Sequence, residues 1–337
     1  MGAPEEHKEM PLSPYLASDD LIAAAQVALE LKLPLLLTGE PGTGKTQFAA
    51  YVANKLGPEF LLKPGVPTPL SFPLYVFETK SNSVASDLFY RFDNLRRFHA
   101  VHDEKMSRNN IDYMTFEALG RAILESLPWD QVADLVPTAE NHVGPRRSVV
   151  LIDEIDKAPR DFPNDLLNEI DQMYFKIPEL SKPGLEVRSV RAPEDLRPIV
   201  IMTSNSERNL PAAFLRRCVF HHIRFPDQET DPGRLADIVR SNSIKQSRLS
   251  DSAIKFFYDV RAQLELDKQP TTSELIQWIE VLYSRARVFG NIDVAKRTLC
   301  ALPPTYVSGT LGAIAKTSHD LHEITQFAAD WSDEQNG

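Results

Sequence analysis

The stretch Leu35-Leu36-Leu37-Thr38-Gly39-Glu40-Pro41-Gly42-Thr43-Gly44-Lys45-Thr46 decides the fold of this chain. Its first part, residues 35–38, is a short apolar run that ends at a glycine, which predicts a parallel strand buried on both faces. Its second part, residues 39–46, fits the pattern G-x-x-x-x-G-K-[ST], and a helical pattern begins at Gln47. Since strand, loop and helix follow one another as this pattern requires, the stretch predicts a phosphate-binding loop rather than an ordinary glycine-rich turn.

Each residue type of the loop has a chemical reason to be there. Glycines let backbone N–H groups wrap around a phosphate, and the start of the following helix adds a partial positive charge. Lys45 is predicted to reach the β and γ oxygens of a nucleotide, and the Thr46 hydroxyl is predicted to ligate Mg²⁺. The expected cofactors are therefore ATP and Mg²⁺, and the candidate binding residues are Gly39, Glu40, Pro41, Gly42, Thr43, Gly44, Lys45 and Thr46.

Four more runs of the sequence have strand character, and helical patterns separate them. They cover residues 74–79, 148–152, 199–203 and 219–225. Strands that alternate with helices predict repeated right-handed βα units. The expected fold class is α/β, a sandwich of helices around a parallel five-stranded sheet, followed by a smaller α-helical domain because the strand signal fades beyond Pro226.

The same patterns predict the domain boundaries. A leader or linker over residues 1–18 precedes a large nucleotide-binding domain over residues 19–227. The stretch of about 102–147 is longer than a βα unit needs and is expected to be an insertion. A helical lid domain is expected over residues 228–303, and a C-terminal helix and tail over residues 304–337.

Composition excludes several other classes of protein. The 337 residues are 42% hydrophobic and 25% charged, which is ordinary for a globular chain and unlike a disordered one. Lys and Arg number 37 against 47 for Asp and Glu, and the resulting net charge of −10 does not favour nucleic-acid binding. The apolar segment of residues 21–37 is interrupted by polar residues and a proline, so no membrane span is expected. Two cysteines and a start without a secretory signal predict a reducing, cytoplasmic location.

A second motif follows the third apolar run. Residues 149–152 are apolar, and Asp153 and Glu154 come directly after them. Asp153 is expected to hold Mg²⁺, while Glu154 is placed to polarise a water for in-line attack on the γ-phosphorus. Two acids after a strand are by themselves more often a plain strand end, but together with the phosphate-binding loop they predict hydrolysis rather than binding alone.

Four segments taken together carry a resemblance to a known family. They are GEPGTGKT, VVLIDEID, IVIMTSN and LPAAFLRRCVFHHIRFP, and as a set they resemble the AAA+ ATPases, in particular the MoxR-like branch. The resemblance covers about residues 11–299. It implies a large domain with a central sheet, a helical lid, ATP bound between the two, and a homo-oligomeric ring, usually of six subunits.

The resemblance also implies roles for individual residues. Asn205, at the end of IVIMTSN, matches the family's sensor 1, which orients the attacking water. Arg216 and Arg217 match the region of the arginine finger, which stabilises charge on the phosphoryl group of a neighbouring subunit. Arg217 is favoured, with Arg216 as its partner, and the catalytic candidates are then Lys45, Glu154, Asn205, Arg216 and Arg217.

One position departs from the family pattern. Where the family often has an arginine at the start of a lid helix, this chain has Glu274, which suits a capping box with Thr271. Lys268 is a weak substitute. Sensor 2 is therefore in doubt, and communication between nucleotide and lid is expected to run through packing.

Three further segments give weaker signals. Residues 87–101 predict one helix whose apolar face includes Leu95 and Phe98. By the resemblance to the family, residues 80–86 are a candidate contact with the protein that is remodelled. Residues 173–178 and 185–190 predict a hairpin. His221 and His222 are neighbours on a strand and so point to opposite faces, which excludes joint metal binding.

The combined expectation is a Mg²⁺-dependent ATPase that remodels a protein partner. The partner's identity stays open, although MoxR-like proteins often act beside a protein with a metal-dependent adhesion fold. An ATP-gated switch with little turnover is a second hypothesis, which the missing sensor 2 arginine motivates. A nucleic-acid motor is a third, against which the acidic charge balance counts.

Overall fold

The structure, a computed structural model, describes residues 15–60, 71–101, 109–136, 142–181, 186–205, 210–242, 244–286 and 293–336. Nine strands occur in these ranges. They are β1 (Leu35–Gly39), β2 (Leu74–Glu78), β3 (Tyr90–Phe92), β4 (Met114–Phe116), β5 (Val149–Asp153), β6 (Tyr174–Ile177), β7 (Arg188–Arg191), β8 (Ile199–Thr203) and β9 (Val219–Ile223).

Five of the strands form one parallel sheet in the order β2-β5-β8-β1-β9. Every residue of β1 is buried, and β5 and β8 are buried along almost their whole length. Strands covered on both faces read as unbroken apolar runs, which is the pattern of the sequence. The predicted α/β class with a parallel five-stranded sheet is confirmed.

Fourteen α-helices lie in the described ranges. They are α1 (Asp19–Leu31), α2 (Lys45–Tyr51), α3 (Gly57–Phe60), α4 (Asn94–Val101), α5 (Ala118–Leu124), α6 (Trp129–Val132), α7 (Phe162–Asp165), α8 (Leu167–Gln172), α9 (Ala212–Leu215), α10 (Arg234–Ser241), α11 (Arg248–Gln263), α12 (Thr272–Arg285), α13 (Pro304–Ser308) and α14 (Ser318–Asn336). A π-helical segment, Val52–Leu56, joins α2 to α3.

The chain divides into two compact units. The sheet unit comprises residues 17–39 and 45–223, and the C-terminal unit includes the described residues 15–16, 40–44 and 224–336. The core of the sheet unit contains apolar residues of β2, β5, β8 and α5. Leu119 and Ile123 of α5 are fully buried in it. The described part of the expected insertion thus includes a helix that packs against β2 and β5.

The C-terminal unit has a separate, all-helical core. Phe256 of α11 packs against Trp278 of α12 and Trp331 of α14, with ring centroids 5.5 and 5.2 Å apart. The indole of Trp278 donates a hydrogen bond of 2.9 Å to the Thr310 hydroxyl, which satisfies its N–H inside the core. Residues beyond 304, including Tyr306 and Trp331, belong to this same core.

The segment of residues 87–101 differs from the sequence prediction. Instead of one helix, it forms β3 and then α4, and β3 pairs antiparallel with β4, so that Tyr90 lies opposite Phe116. Leu95 and Phe98 were expected in the core, but 75% and 64% of their surfaces are exposed. The prediction fails because residues 90–92 pair with β4 as a strand, so that α4 begins only at Asn94.

The predicted hairpin has both of its strands. β6 and β7 pair antiparallel, with Phe175 opposite Val190, and Phe175 stacks on Phe89 with ring centroids 5.3 Å apart. The expected turn at Pro183 and Gly184 lies outside the described residues. Among the helices in the described ranges, none has the length together with the apolar character that a bilayer crossing requires.

Candidate functional site

Asp153 is the last residue of β5, and two hydroxyl groups donate to its carboxylate. The Thr46 Oγ1, from the start of α2, lies 3.1 Å from Oδ1 and 3.3 Å from Oδ2. The Thr203 Oγ1, from the end of β8, lies 2.5 Å from Oδ1. Because the carboxyl ends of parallel strands meet at one edge of the sheet, residues 46, 153 and 203 come together although they are far apart in the chain.

Glu154 follows Asp153 in a strained backbone conformation. Its φ is +54° and its ψ is +52°, the left-handed region that non-glycine residues seldom adopt. Its backbone N–H donates a bond of 2.8 Å to the Thr203 hydroxyl, which holds this conformation. Strain of this kind persists only where surrounding bonds maintain it, and it turns the carboxylate out of the direction that the strand would give it.

Two side chains bind the Glu154 carboxylate. The Asn205 Nδ2 donates to Oε1 at 3.3 Å, and the Lys157 ammonium forms an ion pair with Oε2. The hydrogen bond to Glu154 raises the pKa of Lys157 above its ordinary value. The Asn205 backbone N–H in turn donates to Asp156 Oδ1 at 3.1 Å, so the loop after β8 is tied to the turn after β5.

Lys45 lies at the start of α2 with its side chain buried. Its Nζ donates to the backbone carbonyl of Gly39 at 2.7 Å, across the base of the phosphate-binding loop. Gly39 has φ = +141°, a conformation in which a side chain would be strained. The Gly39 carbonyl therefore helps to fix the direction of the Lys45 ammonium group.

The loop residues 40–44 belong to the C-terminal unit. Gly42 and Gly44 have φ of +74° and +86°, and the Thr43 hydroxyl donates to the Glu40 carbonyl at 2.8 Å. Within the same unit, Arg261 Nη2 donates to the Glu40 carboxylate at 2.9 Å. A β-carbon on Gly42 would lie 2.8 Å from the Thr271 side chain, so two independent constraints require glycine there.

Glu274 has the local partners of a capping residue. The backbone N–H of Thr271 donates to Glu274 Oε2 at 2.8 Å, and the backbone N–H of Glu274 donates to the Thr271 hydroxyl at 3.4 Å. Lys316 lies 3.1 Å from Oε1 of the same carboxylate. The capping box expected at the start of α12 is present.

The two candidate finger arginines, just after α9, differ in their surroundings. Arg217 Nε lies 3.0 Å from Asp171 Oδ2 of α8, and its Nη1 donates to the Ala213 carbonyl at 3.2 Å. Arg216 is exposed, and it has no ion pair within the part of the chain that the structure describes. Arg217 is thus oriented by its own chain, whereas the Arg216 guanidinium extends into solvent.

The donor set at the carboxyl edge fits a magnesium–nucleotide complex. A hydroxyl and a carboxylate, Thr46 and Asp153, are hard oxygen ligands of the type that Mg²⁺ takes, and they already lie within hydrogen-bond distance of each other. The loop has glycines at positive φ, which is typical of loops that bind phosphate through backbone N–H groups. Lys45 supplies a positive charge at the start of α2.

Sequence reasoning missed three residues that organise this edge: Thr203, Asp156 and Lys157. Thr203 is fully buried and links the Asp153 carboxylate to the Glu154 backbone. Its signal was a hydroxyl at the end of an otherwise apolar run directly before Ser204 and Asn205. Asp156 and Lys157 had no signal beyond their closeness to Glu154, because only the turn after β5 decides which way they point.

These features place the chain among α/β proteins with a loop of the phosphate-binding type. The profile of the ATPase family associated with various cellular activities (AAA) matches residues 35–227, more than half of the chain, so the chain belongs to the AAA family. Membership of this family implies use of a nucleotide.

Solved structures similar to this chain include a RuvB mutant from Thermotoga maritima and NtrX from Brucella abortus. The RuvB match has 13% identity and a TM-score of 0.46, and it covers 87% of this chain and 69% of that one. The NtrX match has 14% identity and a TM-score of 0.47, and it covers 95% of this chain and 61% of that one. No match was found among curated proteins. Likeness at this level carries no argument about function, which therefore rests on the family and the site.

Proposed function

We propose that this protein is a Mg²⁺-dependent ATPase of the MoxR-like type that uses ATP hydrolysis to remodel a protein partner. The single observation that carries the proposal is the position of the Glu154 carboxylate. The Thr203 hydroxyl accepts from the Glu154 backbone N–H, the Asn205 amide contacts the Glu154 carboxylate, and the preceding residue, Asp153, is bonded to Thr46. A plain strand end needs none of these contacts.

The residues of the carboxyl edge divide the work of hydrolysis. Lys45 binds the phosphate oxygens, and the loop glycines orient them through backbone N–H groups. Glu154 accepts a proton from the attacking water, while Asn205 holds the Glu154 carboxylate and the water in one orientation. Thr46 and Asp153 hold Mg²⁺, which when bound neutralises phosphate charge in the transition state.

Replacing Glu154 with Gln tests the proposal. We expect steady-state phosphate release to fall by about 10² to 10⁴, the usual contribution of a general base, with ATP affinity retained. A matched control is Glu78→Gln, which removes the same charge from the exposed end of β2 and should leave turnover unchanged. Normal turnover in Glu154→Gln would refute the assigned chemistry, and loss of ATP binding would refute the assigned division of roles.

The site is proposed to be completed by a neighbouring subunit in a ring, expected to be a hexamer. Arg217 is the favoured finger and Arg216 its partner. An exposed ion pair such as that of Arg217 with Asp171 contributes at most about 1 kcal/mol, so it orients the guanidinium without preventing it from reaching a phosphate. A guanidinium that reaches across an interface requires head-to-tail contacts, and such contacts form a ring when the rotation between subunits closes.

Mixing two inactive variants tests the shared site. Arg217→Ala retains Glu154, and Glu154→Gln retains Arg217, so a mixed ring contains some interfaces with both groups intact. We expect each variant alone to be inactive and the mixture to recover part of the phosphate release. A mixture as inactive as its components would place the finger in its own subunit's site or remove its role. The same assay with Arg216→Ala shows which arginine is required.

An ATP-gated switch remains the second candidate, favoured by the commitment of Glu274 to its capping box and to Lys316. A switch would show ATP-dependent association with a partner and no sustained phosphate release from the assembled protein. A nucleic-acid motor would instead show hydrolysis stimulated by DNA or RNA with a steep salt dependence.

The partner that is remodelled, the client, is proposed to be a protein. The reducing, cytoplasmic location that the sequence predicts is proposed as the place where the two interact. Residues 80–86 are a candidate contact, and a protein with a metal-dependent adhesion fold is a candidate adaptor. Affinity capture with Glu154→Gln in the presence of ATP should hold the client and the assembly together.

A further inference from the structure

A pocket lies at the amino-terminal edge of the sheet, opposite the edge that carries Asp153 and Glu154. Its walls come from the end of α1 and from the segments that lead into β1, β5 and β8, and its cavity of about 20 Å³, room for about one water molecule, opens to solvent. Three cationic side chains line it, those of Lys32, Arg147 and Arg197, and the described lining residues include no acid. This positive pocket occurs in a chain whose net charge is −10.

Arg197 is buried, with only 8% of its surface exposed, and its charge is incompletely compensated. Its Nη2 donates to the backbone carbonyl of Ile170 at 2.9 Å, but its buried Nε has no acceptor in the described structure. The nearest carboxylate oxygen is Glu194 Oε1, 3.9 Å from Nη1, too far for a hydrogen bond. Burial lowers the pKa of Arg197, which reflects the cost of holding the charge there.

Arg147 is held in place by neutral groups. Its Nη1 donates to the Arg197 carbonyl at 2.7 Å, and its Nη2 donates to the Asp195 carbonyl. Backbone carbonyls fix the direction of a guanidinium without cancelling its charge. Burial lowers the pKa of Arg147 as well, with the Asp195 carboxylate opposing that effect.

Lys32 and Arg197 share a single carboxylate, that of Glu194. The Lys32 Nζ lies 2.8 Å from Glu194 Oε2, and the hydrogen bond from Lys32 lowers the pKa of Glu194. The Glu194 side chain is 72% exposed, so it approaches the cations from solvent and can swing away. Lys32 has φ = +57° at the end of α1, which directs the chain into the pocket wall.

The wider surroundings leave the pocket positive. Among the groups that act electrostatically on Arg147, Arg197 and Glu194, the acids are Asp171, Asp195 and Glu194. Asp171 is already paired with Arg217. The remaining two carboxylates face the cations Lys32, Arg147, Arg191 and Arg197.

We propose that the open mouth of this pocket binds a small oxyanion, a carboxylate or a phosphate, in place of the exposed Glu194 carboxylate that now contacts Lys32. A guanidinium presents parallel N–H donors that match both kinds of oxyanion, and an ammonium adds a point charge. Glu194 acts as a competing internal ligand. The site is spatially separate from the nucleotide site, since the two lie at opposite edges of the sheet.

Glu194→Gln is the test, because it removes the competitor and leaves the three cations in place. Dissociation constants for inorganic phosphate and for acetate would be measured separately, from the shift of the thermal midpoint at constant ionic strength. We expect Glu194→Gln to bind an anion about two- to fivefold more tightly than the wild type, the range that an exposed ion pair supplies. Lys32→Gln should bind it more weakly by a similar factor.

Two features of the experiment separate the pocket from other effects. Phosphate at the nucleotide loop, and general salting-out, act equally on the wild type and on Glu194→Gln and cannot change their ratio. Glu186→Gln removes the same charge from an exposed position outside the pocket and should match the wild type. If neither anion binds Glu194→Gln more tightly than the wild type, the arginines serve only to hydrogen-bond backbone carbonyls, and the proposal is wrong. The anion with the larger ratio identifies the ligand class.

Discussion

The two edges of the parallel sheet hold their charged side chains in different ways. At the carboxyl edge, Asp153 and Glu154 receive bonds from hydroxyl, amide and ammonium groups of neighbouring segments. At the amino edge, Arg147 and Arg197 donate mainly to backbone carbonyls. Side-chain donors position the acids of one edge for chemistry, whereas carbonyls fix the cations of the other edge and leave their charge to be met by something else.

The largest effect that sharpens this comparison is expected from Thr203→Val. The substitution keeps the shape of the side chain but leaves the Glu154 N–H and the Asp153 carboxylate without the hydroxyl. We expect the free energy of unfolding to fall by about 1–3 kcal/mol, the cost of an unpaired polar group. Turnover should fall by about 10² because the Glu154 carboxylate loses its position. Denaturant titration and phosphate release measure the two effects.

Thr79→Val is the matched control for that experiment. Thr79 is also buried and follows β2 near the same edge, but its hydroxyl has no hydrogen-bond partner in the described structure. Its removal should leave both stability and turnover close to those of the wild type. If the two variants behave alike, Thr203 is only a packing residue and the carboxyl edge is organised in another way.

The smallest effect is expected in the pH dependence of the free energy of unfolding, through Glu194 at the amino edge. Because the pKa of Glu194 is lowered in the folded state, its ion pair stabilises the protein above the unfolded pKa, and this contribution is lost as the pH falls through the folded pKa. The pair is exposed and screened, so the free energy of unfolding of the wild type should be higher than that of Glu194→Gln by less than about 1 kcal/mol at pH 7. The difference should shrink towards zero in acid. A difference that stays constant with pH would show that the carboxylate charge is not what the cations recognise.

The sheet and the nucleotide loop could be predicted because their signals are local. A continuous apolar run such as β1 is compatible with few structures, and the glycines after it have conformational requirements that the sequence displays directly. The direction of α4 could not be predicted in this way. The apolar spacing that joins Leu88 to Leu95 is interrupted by pairing of β3 with β4, a contact between segments more than twenty residues apart.

The sequence alone determined the kinds of chemical group that this protein brings to a nucleotide: a lysine and hydroxyl after a glycine loop, two acids after an apolar strand, and an amide after another. Only the tertiary structure decided that the Thr203 hydroxyl holds Glu154 in a left-handed conformation, that Asp171 orients Arg217, and that three cations line a pocket at the far edge. The physical reason is that residue type and spacing are properties of one segment. Hydrogen-bond partners and burial depend on which segments the sheet brings side by side.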